Sequence, residues 1–247
     1  MGLIKRLKSK VEYVINANEY QTAYMLRNHE IIETQRQFEK YRNIHQGKNF
    51  AIIATGPTLN DFKRIEDCIY IGINKAYRKE NLDYQYYFLQ DYAATKGYME
   101  EIIENVTCQK FVANYILEKD INSVQIPQQY IDKLQATKYF TCWPNESICP
   151  DISKSPMANC GTVTFAAIQF ALYCGAQNIY LVGCDTSAGG YFDGTKQRNV
   201  KMTMNQSYLI ENYKRLKSYA DMYYPNSKIV SVNPVGLRGI FEDIYQK

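Results

Sequence analysis

Histidine is scarce: His29 and His45 are the only two in 247 residues, and both lie in the first fifth of the chain. A zinc site built on imidazoles is therefore disfavoured, and a catalytic histidine in the remaining four fifths is excluded. The seven cysteines, Cys68, Cys108, Cys142, Cys149, Cys160, Cys174 and Cys184, are odd in number and contain no C-x-x-C pair. A disulfide framework is thereby disfavoured and a reducing compartment expected. No stretch approaches the ~18 consecutive apolar residues of a membrane span, and no long apolar signal-peptide core opens the chain. A cytoplasmic location is the expectation. Net charge is also small, +4 from 29 Lys+Arg against 25 Asp+Glu. Nine of the basic and five of the acidic residues fall in 1–48, so residues 49–247 carry twenty of each and are neutral. Binding of nucleic acid by that body is disfavoured, because duplex affinity rests on neutralising phosphates.

What is present is globular: 46% hydrophobic and 22% charged residues in a length that suits one sizeable α/β domain with a small appendage. From Leu3 to about Tyr41 apolar residues recur at helical spacing (Leu3, Leu7, Val11, Val14, Ile15), with Lys5, Arg6, Lys8 and Lys10 between them. Residues 1–48 thus read as an amphipathic segment of one long or two shorter helices. Its basic early turn suits an anionic membrane surface or a second copy of the chain, and equally a helix packed on its own domain with a solvated charged face.

Residues 49–247 read as the catalytic body. Short apolar runs at 49–54, 68–73, 84–89, 110–115, 178–182 and 228–232 read as buried parallel strands. Helical stretches follow: one from Asn60 through Asp67, then Val163–Cys174, read as core, and Asn205–Tyr223. Strands alternating with helices imply a doubly wound, mainly parallel α/β sheet. Residues 122–158 carry Pro127, Pro144, Pro150, Pro156 and the only Trp, Trp143, with little periodicity. They read as an irregular lid or insertion.

Ligands of such sheets bind beyond the carboxyl ends of the strands. After the first strand comes Thr55-Gly56-Pro57-Thr58, where a glycine permits close backbone approach and a following helix would offer N–H groups to an anion. Bulk at Gly56 is therefore expected to block phosphate approach and to spare the fold. After the second comes Asn74, and after the third Gln90-Asp91, amides for base or sugar edges beside a carboxylate for proton transfer. Helix capping is the competing use of Asn74 and Asp91. The densest region is Asn159-Cys160-Gly161-Thr162, followed after the next strand by Gly183-Cys184-Asp185-Thr186-Ser187 and the polar loop with Tyr191 and Asp193. Together these offer donors for a phosphate and carboxylates for proton transfer.

The runs I-I-A-T-G-P-T-L, G-I-N-K-A, N-C-G-T-V-T-F-A-A-I-Q-F-A-L-Y-C-G-A-Q-N-I-Y-L-V-G-C-D and Y-F-D-G-T-K-Q-R-N resemble, in order over about residues 49–240, the bacterial sialyltransferases of glycosyltransferase family 42. They are also similar to a wider G-x-G-P-S-L group that includes 6-hydroxymethylpterin pyrophosphokinase-like domains. The resemblance implies a Rossmann-like, metal-independent, inverting transferase using a CMP-sugar donor and a surface-glycan acceptor, with no cofactor. By position it places Thr55, Gly56 and Thr58 on the nucleotide turn, Asn74 beside the nucleotide, and Gln90 or Asp91 near the donor sugar. It puts Cys160, Gly161 and Thr162 on the loop for the donor carboxylate and cytidine, Asp185 at a ribose-side acidic position, and Tyr191 at the leaving phosphate. Ala54, Cys160 and Ser187 depart from the family's Gly, Ser and Tyr, and its general-base histidine, expected near Asn205-Gln206, has no counterpart. Asp91 is the first candidate for the base, with Asp185 or Asp193 behind it. A pyrophosphokinase using ATP and Mg²⁺ and a non-catalytic nucleotide-binding protein are the rival readings.

Overall fold

The six apolar runs become parallel strands in the computed structural model, which describes residues 2–142, 147–187, 189–195 and 206–246. The strands are β1 (Asn49–Ile53), β2 (Cys68–Ile73), β3 (Tyr84–Leu89), β4 (Gln109–Tyr115), β5 (Thr137–Cys142), β6 (Met157–Ala158), β7 (Asn178–Val182), β8 (Lys228–Val232) and β9 (Glu242–Ile244). They form one sheet in the order β6-β5-β4-β3-β2-β1-β7-β8-β9, every neighbouring pair parallel. This is an α/β fold of Rossmann-like, doubly wound type.

Both faces of the sheet are covered, so its central strands are apolar at consecutive rather than alternate positions, as in Phe50–Ile53 and Tyr86–Leu89. Phe50 and Ile52 of β1 and Tyr86 and Phe88 of β3 point to one face, while Ala51, Ile53, Tyr87 and Leu89 point to the other. Helices α4 (Met99–Asn105) and α6 (Gln128–Leu134) cover the second face. The first face carries α7 (Thr164–Tyr173) and α8 (Gln206–Tyr223). Right-handed crossovers account for the division: the chain steps outward from β1 to β6 on one side and must return to β7 and β8 on the other. All ten residues of α7 are buried, as expected of a helix apolar on every side. Its Phe170 sits 4.8–5.5 Å, centroid to centroid, from the rings of Tyr41, Tyr86, Phe88 and Phe111.

Two sequence expectations are corrected. Residues 122–158 are not an irregular lid: they contain α6, β5 and β6 and extend the sheet, while Trp143 and Pro144 lie outside the described residues. Tyr139 and Phe140 of β5 are fully buried, one on each face, a signal hidden by the surrounding prolines. The helical stretch through Asp67 is only a 3₁₀ turn, Pro57–Asp61. The amphipathic pattern of residues 1–48 takes the form of two helices. It breaks into α1 (Gly2–Leu26) and α2 (Asn28–Arg36), and from α2 onward the segment belongs to the core. Phe38 and Tyr41 pack in the same apolar cluster as Phe111 and Phe170.

Gln35 of α2 is fully buried and holds this joint. Its amide donates to the carbonyls of Ile152 and Ser155 at 2.7 and 2.9 Å and accepts from the Phe140 amide at 2.7 Å. Gln35→Met keeps the bulk and strands all three partners, so urea denaturation should show a loss of at least ~3 kcal/mol, at ~1–3 kcal/mol for each group left unpaired. A change under ~0.5 kcal/mol, the range of an ordinary surface substitution, would mean that α2 is dispensable.

Candidate functional site

The winding of the sheet reverses between β1 and β7, and the loops leaving these adjacent strands diverge around a crevice, the usual ligand position in open α/β sheets. Before they part, the two chains remain bonded. The Ala54 amide donates to the Val182 carbonyl and the Gly56 amide to the Gly183 carbonyl, both at 2.8 Å. A Cβ on Gly56 would lie 2.5 Å from Gly183 O and 2.5 Å from Asp185 Oδ2. The Thr58 amide donates to Asp185 Oδ2 at 2.9 Å, and the Thr58 hydroxyl donates to Asp185 Oδ1. Asp185 is 5% exposed; burial raises its pKa, and the two Thr58 bonds oppose that rise.

This geometry revises the Thr55–Thr58 turn. Its glycine makes room for the β7 loop. The amides of Gly56, Thr58 and Leu59 are bonded within the protein, and Pro57 has none to offer. Pro57 and Thr58 do not line the crevice, whereas Thr55, Gly56 and Gly183 do. Asp185 also lines it, with both oxygens of its carboxylate bonded to Thr58, which makes it a clamp between loops.

The crevice opens into a cleft of about 250 Å³. Of the residues singled out by sequence, Asn74, Gln90, Asp91, Gly161, Thr162, Ser187 and Tyr191 also line it. Asn159 and Cys160 do not; they are 4% and 1% exposed and shape the turn before α7. The Thr162 amide returns to the Asn159 carbonyl at 3.2 Å, and the Gly161 amide to the Asn159 side chain at 3.0 Å. Both central residues, Cys160 (φ +47°) and Gly161 (φ +84°), are left-handed, the type I′ arrangement. Cysteine adopts this region rarely, and such strain is held where surrounding structure over-determines it. Thr162 then presents its hydroxyl to the Thr164 amide at 3.3 Å, capping the entry to α7.

At the end of β3, Gln90 is 8% exposed and its Oε1 has no hydrogen-bond partner among the described residues. Asp91 beside it caps helix α3 (Tyr92–Thr95), accepting from the Ala93 amide at 2.7 Å. Burial raises the Asp91 pKa, with backbone N–H groups of Ala93 and Ala94 pulling the other way. No ion pair engages it among the described residues. Asn74 takes a left-handed φ of +51° and its carbonyl accepts from the Tyr87 hydroxyl at 2.8 Å.

Asp193 is corrected as a candidate base. Its Oδ2 lies 3.2 Å from Lys75 Nζ and 2.9 Å from Arg78 Nη1, and its Oδ1 accepts from the Thr195 hydroxyl at 2.6 Å. Burial alone would raise this carboxyl, but Thr195 and Lys75 outweigh it and hold the pKa at about 2. Lys75 also sits 5.2 Å above the ring of Tyr191, and Arg78 makes a bidentate pair with Glu101 at 2.8 and 2.7 Å. The network fastens the Tyr191 loop to the segment after β2.

Sequence reasoning missed Lys75 and Arg78, whose only signal was a basic pair after a strand. It also missed Gly236, whose amide donates to the Asp185 carbonyl at 2.8 Å and whose missing Cβ admits Thr186 O at 2.5 Å. Gln206 lines the cleft, while Asn205 lies outside the described residues. His45 is far from this edge, bonded through Nε2 to the Tyr86 hydroxyl at 2.7 Å, and burial lowers its pKa. The six cysteines with described side chains are thiols, not disulfides.

Two outcomes follow from the loops. Gly56→Ala should cost ~1–3 kcal/mol in urea denaturation, the usual scale of overpacking, and Gly56→Val more; wild-type stability in both would refute the close approach of the loops. Asp193→Asn should destabilise by ~1–3 kcal/mol, the scale of hydrogen bonds to charged groups. Because the native carboxyl titrates below its unfolded value of ~3.9, this deficit is full above pH ~4 and fades as pH falls toward ~2. A deficit independent of pH between 2 and 6 would show that the charge of Asp193 is immaterial.

No family model and no curated protein sequence matches the chain. Among solved structures, the chain is similar to the Campylobacter jejuni sialyltransferase CstII bound to cytidine-5′-monophosphate, with 14% identity, 75% of this chain and 80% of that one covered, and a TM-score of 0.43. It is likewise similar to the monofunctional α-2,3-sialyltransferase Cst-I of the same organism, with 14% identity, 75% of each chain covered and a TM-score of 0.45.

Proposed function

We propose that the chain is a glycosyltransferase that moves a sugar, sialic acid or a related one, from a CMP-type donor to a hydroxyl of a surface-glycan acceptor, with inversion and without a metal. The observation that carries this reading is the Gln90–Asp91 pair at the mouth of the switch-point crevice. Gln90 holds a buried amide oxygen without a partner among the described residues, and leaving such a group unpaired costs ~1–3 kcal/mol. A ligand hydroxyl or amino group that donates to it recovers that energy. Asp91 adds a carboxylate made more basic by burial and not neutralised by a cation.

In the proposed reaction Asp91 accepts the proton of the acceptor hydroxyl as that oxygen bonds to the anomeric carbon. The bond from this carbon to the donor phosphate breaks, and its electron pair leaves on the phosphate oxygen. The hydroxyl-bearing residues Thr162, Ser187 and Tyr191 line the same cleft and are suited to donate to the departing charge. The choice of CMP among nucleotides rests on the sequence resemblance. Asp185 and Asp193, engaged by Thr58 and by Lys75 and Arg78, hold the loops and leave Asp91 as the base.

Thermal-shift measurements with CMP, CDP, UDP, GDP and ATP, each with Mg²⁺ and with EDTA, test the donor. CMP should raise Tm equally in both conditions; a response to ATP only with Mg²⁺ would replace the reading with a nucleotide kinase, and silence with a scaffold. Asp91→Asn tests the base without uncapping α3, since asparagine caps as well as aspartate. Single-turnover transfer should fall by ~10²-fold or more with the CMP dissociation constant unchanged. Weakened CMP binding at an unchanged rate would move Asp91 from catalysis to recognition.

A further inference from the structure

Helix α1 is amphipathic in the wrong sense for a helix that simply covers its own domain. It is held to the body by Tyr20, Ala23 and Tyr24, which pack on Ile116, Leu117 and Phe140. Asn16 and Glu19 meet Lys119 at 2.6 and 3.2 Å, and the adjoining Arg27 donates to the Tyr115 carbonyl at 2.6 Å. The apolar stripe faces elsewhere: Val11, Val14, Ile15 and Met25 are 56, 55, 51 and 76% exposed. At 100° per residue Val11 stands about 180° from Tyr20, so the stripe points directly away from the protein. In the sequence the same period continues it through positions 4 and 7, Ile4 and Leu7.

From the charge beside this stripe we infer that α1 is a docking helix for an anionic lipid surface. Lys5, Arg6, Lys8 and Lys10 fall within its first ten residues, and the first acidic residue is Glu12. Positions 8 and 10 border the stripe, one on each edge, where long basic side chains keep their heads at lipid phosphates while the stripe enters the acyl boundary. A second copy of the chain fits less well. The 3–4 spacing that runs Ile4, Leu7, Val11, Val14 meets Asn18 and Gln21 next, leaving about two apolar heptads where a coiled coil needs three to four. The anchor of α1 lies at the end of β4, the same carboxyl edge of the sheet as the cleft. Lipid docking would therefore set the cleft beside the membrane, a consequence independent of which sugar or nucleotide it takes.

Sedimentation of the full chain with vesicles of phosphatidylcholine alone, or containing 30% phosphatidylglycerol, tests the inference. Binding should be at least ~10-fold stronger to the anionic vesicles and weaken with salt. Val11→Glu with Val14→Glu should reduce it by ~10-fold or more while far-UV circular dichroism and Tm are unchanged, since both side chains are half exposed. Lys8→Gln with Lys10→Gln should lower anionic binding similarly and leave neutral vesicles unaffected. Equal binding to both vesicle types, or none, would overturn the inference. So would self-association by light scattering that the Val11→Glu, Val14→Glu variant abolishes in the absence of any vesicle binding; that result would assign the stripe to a second copy.

Discussion

Everything at the carboxyl edge of this sheet depends on how closely the loops leaving β1 and β7 approach. Two parallel strands that part at a switch point leave unpaired backbone behind, and here the pairing is carried past the strand ends by the Gly56–Gly183 bond. The approach is close because Gly56 has no side chain. It is held by one carboxylate, Asp185, which takes both the amide and the hydroxyl of Thr58. Gly236, in the turn after β8, repeats the device: its amide donates to the Asp185 carbonyl, and an added Cβ would crowd the Thr186 carbonyl. Three adjacent loops are thus brought into close contact at Gly56, Asp185 and Gly236, and the cleft lies where they turn aside.

The aromatic platform beneath makes this arrangement rigid. Phe170 lies at the centre of rings contributed by β3, β4 and the segment after α2, including Tyr41. Offset and edge-to-face ring pairs of this kind are worth ~0.5–1.5 kcal/mol each beyond their buried area. The same helix begins at the strained Cys160–Gly161 turn, so packing along α7 fixes where Thr162 sits in the cleft. Site geometry is in this sense a consequence of core packing at the other end of one helix.

Charge is distributed by the same logic. The three loop carboxylates are chemically alike in sequence, and their surroundings divide them. Asp193 is held ionised between Lys75 and Arg78, and Asp185 is spent on Thr58. Asp91 meets only the backbone of a short helix and is pushed up by burial. Two cations and two hydroxyls, Lys75, Arg78 and Thr195 at Asp193 and Thr58 at Asp185, account for these different surroundings.

The sequence by itself determined the strands that are buried on both faces, because a run such as Ile69–Ile73 or Tyr86–Leu89 has no other place to put its side chains. With them came the α/β class, the core character of α7, and the location of Asn74, Gln90, Asp91, Thr162 and Tyr191 at loop ends. It did not show β5 within a proline-rich stretch, nor β9, whose Glu242-Asp243-Ile244 is carried by pairing and not by β propensity. The insertion of Phe38 and Tyr41 into the core was equally hidden, since an amphipathic pattern states that a face is apolar and not what covers it. Only the tertiary structure decided that Gly56 makes room for a protein loop, that Asp185 meets Thr58 and Asp193 meets Lys75 and Arg78, and that the stripe of α1 faces outward. Each of these is a contact between residues far apart in the chain, such as the 127 positions separating Thr58 from Asp185, and local sequence carries no record of which distant group a side chain will meet.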